Sequence, residues 1–221
     1  MKKVVGARRI TNSGSRKVIG KFPSLKMNGT VWWESTIERD YIYLLEIDPA
    51  VKSYKSQPFK LTYLNAGKTR TYTPDFCVIR PQCQQVVEVK PETKVKDSSC
   101  LELWRHIIPL CRDMGMEFVV VTDVMIRKQP QLDNIKLLYK YARNPLNLQQ
   151  IIECQRYFKY KEPTPLGVAL SELEPKGISL NILFKLLYVG ILSTDLMHKI
   201  DMESLIKLSQ LKSDITTLIT S

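Results

Sequence analysis

The chain has 221 residues, 44% hydrophobic and 25% charged, a balance that excludes a disordered or fibrous chain and supports one sizeable core with room for a small second domain. Lysine and arginine outnumber aspartate and glutamate by 33 to 22, and the resulting net charge of +11 favours a polyanionic partner. No apolar run is long enough to cross a bilayer and no apolar segment follows the basic start, so we expect a cytoplasmic protein without membrane contact.

The first thirty residues form a basic arm. Lys2, Lys3, Arg8, Arg9, Arg16, Lys17, Lys21 and Lys26 precede the first acid, Glu34. Such an arm suits a phosphate backbone, because each neutralised phosphate releases condensed counterions. A solvated tail is the other reading of the same charges.

Trp33 to Ile47 is predicted helical from Trp33, Ile37, Tyr41, Leu44 and Leu45, with Pro49 just past its end. Pro58–Leu64 is a predicted strand, Asn65-Ala66-Gly67-Lys68 a turn, Thr69–Ile79 a second strand, Arg80–Cys83 a turn and Gln84–Lys90 a third strand. Asp97 or Ser98 caps a helix that stops at Gly115, and Glu117–Thr122 is a buried strand. The order predicts an α/β fold in which a helix covers each side of a small mixed sheet.

From Leu132 the pattern turns helical, and Pro163-Thr164-Pro165 marks a boundary. An apolar helix near Leu180–Val189, the short Ile191-Leu192 segment and a final helix through Met202, Leu205, Ile206 and Leu208 then read as a small helical or winged-helix-like module. The expected division is an arm over 1–30, the α/β domain over 31–160 and the small helical or winged-helix-like domain over 161–221.

The cysteines (Cys77, Cys83, Cys100, Cys111 and Cys154) form no C-x-x-C pair, and His106 and His198 are the only histidines. A disulfide framework, a zinc site and a histidine-centred triad are therefore disfavoured. The chemistry must come from carboxylates and lysines. Glu88 and Lys90 leave the same face of a strand whose neighbours Val86, Val87 and Val89 are apolar, so their charges need a partner or a metal. Asp75, after Pro74, is brought alongside Glu88 by the intervening hairpin. Glu38 projects between Ile42 and Leu45, inside the apolar arc of its helix. Two carboxylates held together repel unless a cation lies between them, and all-oxygen ligation suits Mg²⁺ or Mn²⁺. The Val89 carbonyl is a further candidate ligand, and Lys90 would orient a water or offset charge in the transition state.

The order Glu, Pro-Asp, hairpin, Glu-x-Lys, helix, strand resembles the restriction-endonuclease-like PD-(D/E)-x-K nucleases. Ser35-Thr36-Ile37-Glu38-Arg39-Asp40, Gln57-Pro58, Arg70 to Phe76 and Val87-Glu88-Val89-Lys90-Pro91 are similar in order and spacing to the TnsA endonuclease family. The resemblance reaches more loosely to Asn134, Tyr139 and Gly190–Leu196. It implies that Glu38, Asp75, Glu88 and Lys90 are catalytic and that the substrate is double-stranded DNA at transposon ends, cut at the 5′ strand. It also implies a TnsB-like transposase and a TnsC-like AAA+ ATPase as partners. Family members carry Gln or Glu where Glu88 stands. A stand-alone restriction- or resolvase-like nuclease and a non-catalytic DNA-binding assembly subunit are the competing readings.

Overall fold

The computed structural model describes residues 18–209, and Lys2, Lys3, Arg8, Arg9, Arg16 and Lys17 of the basic arm lie outside them. The chain forms two compact units, Met1–Arg127 and Lys128–Ser221. The division expected after residue 160 falls inside the second unit. Its cause is local: helices at 131–141 and 148–160 bury their apolar stripes within that unit.

The first unit opens on an antiparallel hairpin, β1 (Gly20–Ser24) and β2 (Gly29–Trp33). Trp33 is thus a strand residue, and the helix expected from Trp33 starts three positions later as α1 (Thr36–Ile47), where the Ser35 hydroxyl accepts the Glu38 N–H at 3.1 Å. Next come β3 (Ser53–Ser56), β4 (Leu61–Asn65), β5 (Lys68–Tyr72), β6 (Phe76–Ile79) and β7 (Gln84–Lys90). The long α2 (Ser98–Asp113), β8 (Glu117–Thr122) and the single turn α3 (Asp123–Ile126) complete the unit.

The strand expected over Thr69–Ile79 is two strands. Pro74 has no N–H to give a ladder, so the chain leaves one pairing and enters another. β5 pairs with β4 in a separate ribbon, while β6 joins a four-stranded sheet of order β3-β6-β7-β8. β3 was not anticipated, because Ser-Tyr-Lys-Ser offers one strong strand former and depends on β6 for its partner. Neighbours are antiparallel except β7 and β8, which run parallel with α2 as the crossover. On one face Phe76 meets Tyr41 of α1, ring centroids 5.4 Å apart. On the other, Val86 packs with Ile107 and Cys111 of α2. Helices on both faces explain why Val86 to Val89 are all buried rather than alternating.

In the second unit, α4 (Gln131–Tyr141) and α5 (Leu148–Tyr160) are followed by β9 (Thr164–Pro165), α6 (Leu166–Leu173), α7 (Leu180–Tyr188), β10 (Leu192–Ser193) and β11 (Leu205–Leu208). The final helix expected through Leu205 and Leu208 is instead a strand, the centre of a small antiparallel sheet of order β10-β11-β9. Its burial alternates, with Leu205 exposed and Ile206 fully buried, which is a period of two. Buried Asn134 donates to the carbonyls of Leu196 and His198 and accepts the Ile200 N–H, pinning the loop before β11.

Glu46, near the end of α1, is a buried acid with a complete set of donors. Its carboxylate accepts the Ser24 and Tyr54 hydroxyls at 2.5 and 2.6 Å and the backbone N–H groups of Leu25 and Lys26. The hydroxyls and amides of the β1–β2 turn would be left buried without it. Glu46→Ala is therefore expected to destabilise the fold by about 3 kcal/mol, read as a lower urea midpoint at unchanged slope.

Candidate active site

Phe76 lies opposite Val87 in the β6–β7 ladder, so one further step of that antiparallel register sets Asp75 opposite Glu88. Paired residues share a face, and the two carboxyls therefore meet at the end of the ladder. Asp75 Oδ2 accepts the Val89 N–H at 2.7 Å. Glu88 is only 3% exposed. One of its oxygens is 2.7 Å from the Lys90 ammonium, and the other accepts the Tyr72 hydroxyl.

Glu38 reaches the same neighbourhood from the first turn of α1. It is buried, and its carboxylate accepts the Glu34 N–H at 2.8 Å at the helix N-terminus, where a negative charge is stabilised. Its influence on Asp75 is electrostatic. Burial first, then the charges of Glu88 and Glu38, raise the Asp75 pKa well above the usual aspartate value, while the Val89 N–H and Lys90 oppose the shift. Burial also works against the Lys90 charge, but the adjoining Glu88 carboxylate outweighs it and lifts the lysine pKa. Lys90 is a firm cation at neutral pH. Burial and the Glu88 charge push the Tyr72 hydroxyl up, so it remains a donor.

Sequence reasoning passed over Tyr72 as a working residue. Its side chain, buried beside Ile107 and Val86, fixes the Glu88 oxygen that Lys90 does not hold. The signal was composition: Tyr72 is the one aromatic residue of β5, and it is buried after exposed Lys68 to Thr71. Gln57 is a second such residue. Its N–H donates to the Asp75 carbonyl at 2.9 Å, its φ is +44, and its side-chain oxygen is buried without a hydrogen-bond partner.

Of the arm residues within the described span, Lys21 lies over the Trp32 ring, 4.7 Å from its centroid. Lys26 differs from expectation. Its ammonium donates to the carbonyls of Leu45 and Asp48 at 2.7 and 2.6 Å, closing the C-terminal end of α1, and burial lowers its pKa to about 8. A lysine committed to a helix end does not serve as a phosphate contact.

Among the described residues no three His, Cys, Asp or Glu side chains gather closely enough to hold a metal by themselves. The acids present as a close pair, Asp75 and Glu88, with Glu38 acting through space. A raised Asp75 pKa means that its charge costs stability at pH values above the ordinary aspartate value of about 4, with the cost levelling off above the folded-state pKa. Asp75→Asn keeps an acceptor for the Val89 N–H and removes the repelled charge. In metal-free buffer the Asn variant is expected to match the wild type near pH 4 and to become progressively more stable than it toward pH 8, as urea midpoints would register. A gap independent of pH would assign the effect to packing.

Residues 48–123 match a family described as TnsA-like endonuclease N terminal. No curated protein matches the chain. The matched span runs from the residue after α1 through β8 to the first residue of α3, and it contains Asp75, Glu88 and Lys90 but not Glu38. Sequence match and site geometry coincide on the same strands, and residues 48–123 of this chain are a TnsA-like endonuclease domain.

Proposed function

We propose that the chain is a divalent-metal-dependent DNA endonuclease with a restriction-endonuclease-like PD-(D/E)-x-K core, cutting the 5′ ends of a transposon, the non-transferred strands, during cut-and-paste transposition. One observation carries this reading: inside a TnsA-like endonuclease domain, Asp75 and Glu88 are forced together beside Lys90, with Glu38 adding to the negative field. Mg²⁺ characteristically takes one or two carboxylates and completes its shell with waters and substrate phosphate oxygens. The donor set fits that habit, since the three acids supply only oxygen and their mutual repulsion is the kind a cation relieves. Asp75, Glu88 and the Val89 carbonyl would hold Mg²⁺ or Mn²⁺, with Glu38 contributing from α1. When bound, the ion supplies Lewis acidity to a phosphoryl oxygen and a lowered pKa to water.

The protein's own groups do the rest. Lys90, kept charged by Glu88, donates hydrogen bonds toward the attacking water or a non-bridging phosphate oxygen, where charge grows in the transition state. Tyr72 holds Glu88 while Lys90 shifts its donors toward substrate. The Val89 N–H keeps Asp75 aimed at the pair.

The second unit supports a partner-binding role. The order α5, β9, α6, α7, β10, β11 with a three-stranded antiparallel sheet supports a winged-helix reading. We assign it the contact with a TnsC-like AAA+ ATPase, while a TnsB-like transposase would cut and join the 3′ ends.

Asp75→Ala is expected to abolish metal-dependent cleavage of DNA carrying transposon ends, with circular dichroism unchanged. Unaltered cleavage would remove Asp75 from the chemistry, and cleavage of naked DNA by the purified chain without partners would favour a stand-alone nuclease. Lys90→Ala should slow cleavage by roughly 10²- to 10³-fold with metal binding retained. In cells, 3′ joining would continue while the 5′ strands stay attached to the donor. Long-read sequencing of recovered products should then show simple insertions giving way to cointegrates. An unchanged share of simple insertions in that strain would exclude Lys90 from 5′-strand cutting.

A further inference from the structure

Between Asp48 and Asp75 the chain carries Lys52, Lys55, Lys60, Lys68 and Arg70 and no acidic residue. The active-site chemistry uses none of these charges. β4 and β5 stand apart from the four-stranded sheet as a ribbon closed by Ala66 and Gly67, both at positive φ (49° and 71°), as a tight two-residue hairpin turn requires.

Apart from Tyr72 at the end of β5, the ribbon is fastened along β4. Leu61 is buried with Val86 and Ile107, the Tyr63 ring stacks on His106 at 5.2 Å between centroids, and the Asn65 amide donates to Glu102 at 3.0 Å. β5 has no such cover. Lys68, Thr69, Arg70 and Thr71 are all exposed, four in a row, so both faces of the strand are open to solvent. A strand that packs on anything within its own unit alternates instead. Neither Lys68 nor Arg70 has an ion-pair partner among the described residues. The next residue along, Tyr72, is the one that holds Glu88. An open, basic, hydroxyl-rich strand therefore runs straight into the catalytic acids.

We propose that the β4–β5 ribbon is a docking surface for duplex DNA, with Lys68 and Arg70 on backbone phosphates flanking the phosphodiester to be cut. The position of the cut rests on the nuclease reading above; the binding surface does not. A two-stranded ribbon has the width that a major groove admits. The charge has the sign that releases phosphate counterions, and the threonines supply neutral donors beside it. Arg70 is five residues from Asp75, a reach of at most about 18 Å. With one base pair every ~3.4 Å, its contact falls within roughly five base pairs of the cut.

The test uses the full chain without divalent metal, a fluorescent duplex of arbitrary sequence, and anisotropy titrations over a series of NaCl concentrations. K68A/R70A should bind more weakly, and its log–log salt slope should be shallower than the wild type's by about 1.8, two contacts at ~0.9 each. K68R/R70K, which keeps both charges, should retain the wild-type slope. R105A/R112A removes two exposed charges from α2 and serves as the control for net charge. An unchanged slope in K68A/R70A, an equal loss in R105A/R112A, or no duplex binding by the wild type at low salt would each overturn the proposal. An unchanged slope would also point to an acidic protein surface as the occupant of the ribbon. Cleavage in Mg²⁺ is scored separately. A wild type that binds through the ribbon but never cuts transposon-end DNA, even with its transposase and ATPase partners present, defeats the nuclease reading and leaves the ribbon standing, whereas cutting with an unaltered K68A/R70A slope does the reverse.

Discussion

The antiparallel register of β6 and β7 is the constraint on which the rest of the first unit turns. Because Phe76 pairs with Val87, Asp75 must face Glu88, and it does so in an interior that solvates neither charge well. Everything around the pair answers that problem. Lys90 stands against one Glu88 oxygen, Tyr72 donates to the other, and the Val89 N–H meets Asp75. The answer is incomplete, and the raised Asp75 pKa records what is left over.

Glu46 offers an internal comparison. It is as buried as Glu88, yet two hydroxyls and two backbone amides supply its oxygens with donors, and it joins the β1–β2 turn, α1 and β3 into one piece. That acid is spent on structure. The Asp75–Glu88 pair is held in place just as firmly but keeps electrostatic strain that its neighbours do not remove. Two acid sites of one domain thus separate into one closed by its donors and one left with unrelieved repulsion.

The same logic sorts the basic residues. Lys26 is drawn into the fold to close a helix end, and Lys90 is balanced by Glu88. Lys68 and Arg70 are left in the open on a strand whose far end is anchored to Glu88 through Tyr72. A high positive charge alone does not distinguish these fates. Local donors and acceptors do.

Glu88 and Lys90 on one strand face, the helix from Ser98 and the buried strand Glu117–Thr122 were legible in the residues, because period-two alternation, a cap and an apolar run are local signals. The burial of Glu38 was legible from helical spacing for the same reason. Tertiary pairing decided the remainder. It split Thr69–Ile79 at Pro74 between a free ribbon and the main sheet, and created β3 from a segment with little strand character of its own. It also turned Leu205–Leu208 from an expected helix into the middle strand of a sheet. Hydrogen-bond ladders depend on partners distant in sequence, and so does the use of a lysine, an acid or a tyrosine. The sequence by itself determined which chemical groups are present and which face each leaves; only the folded chain decided that Tyr72 would hold Glu88, that Lys26 would cap a helix, and that Asp75 would face an acid.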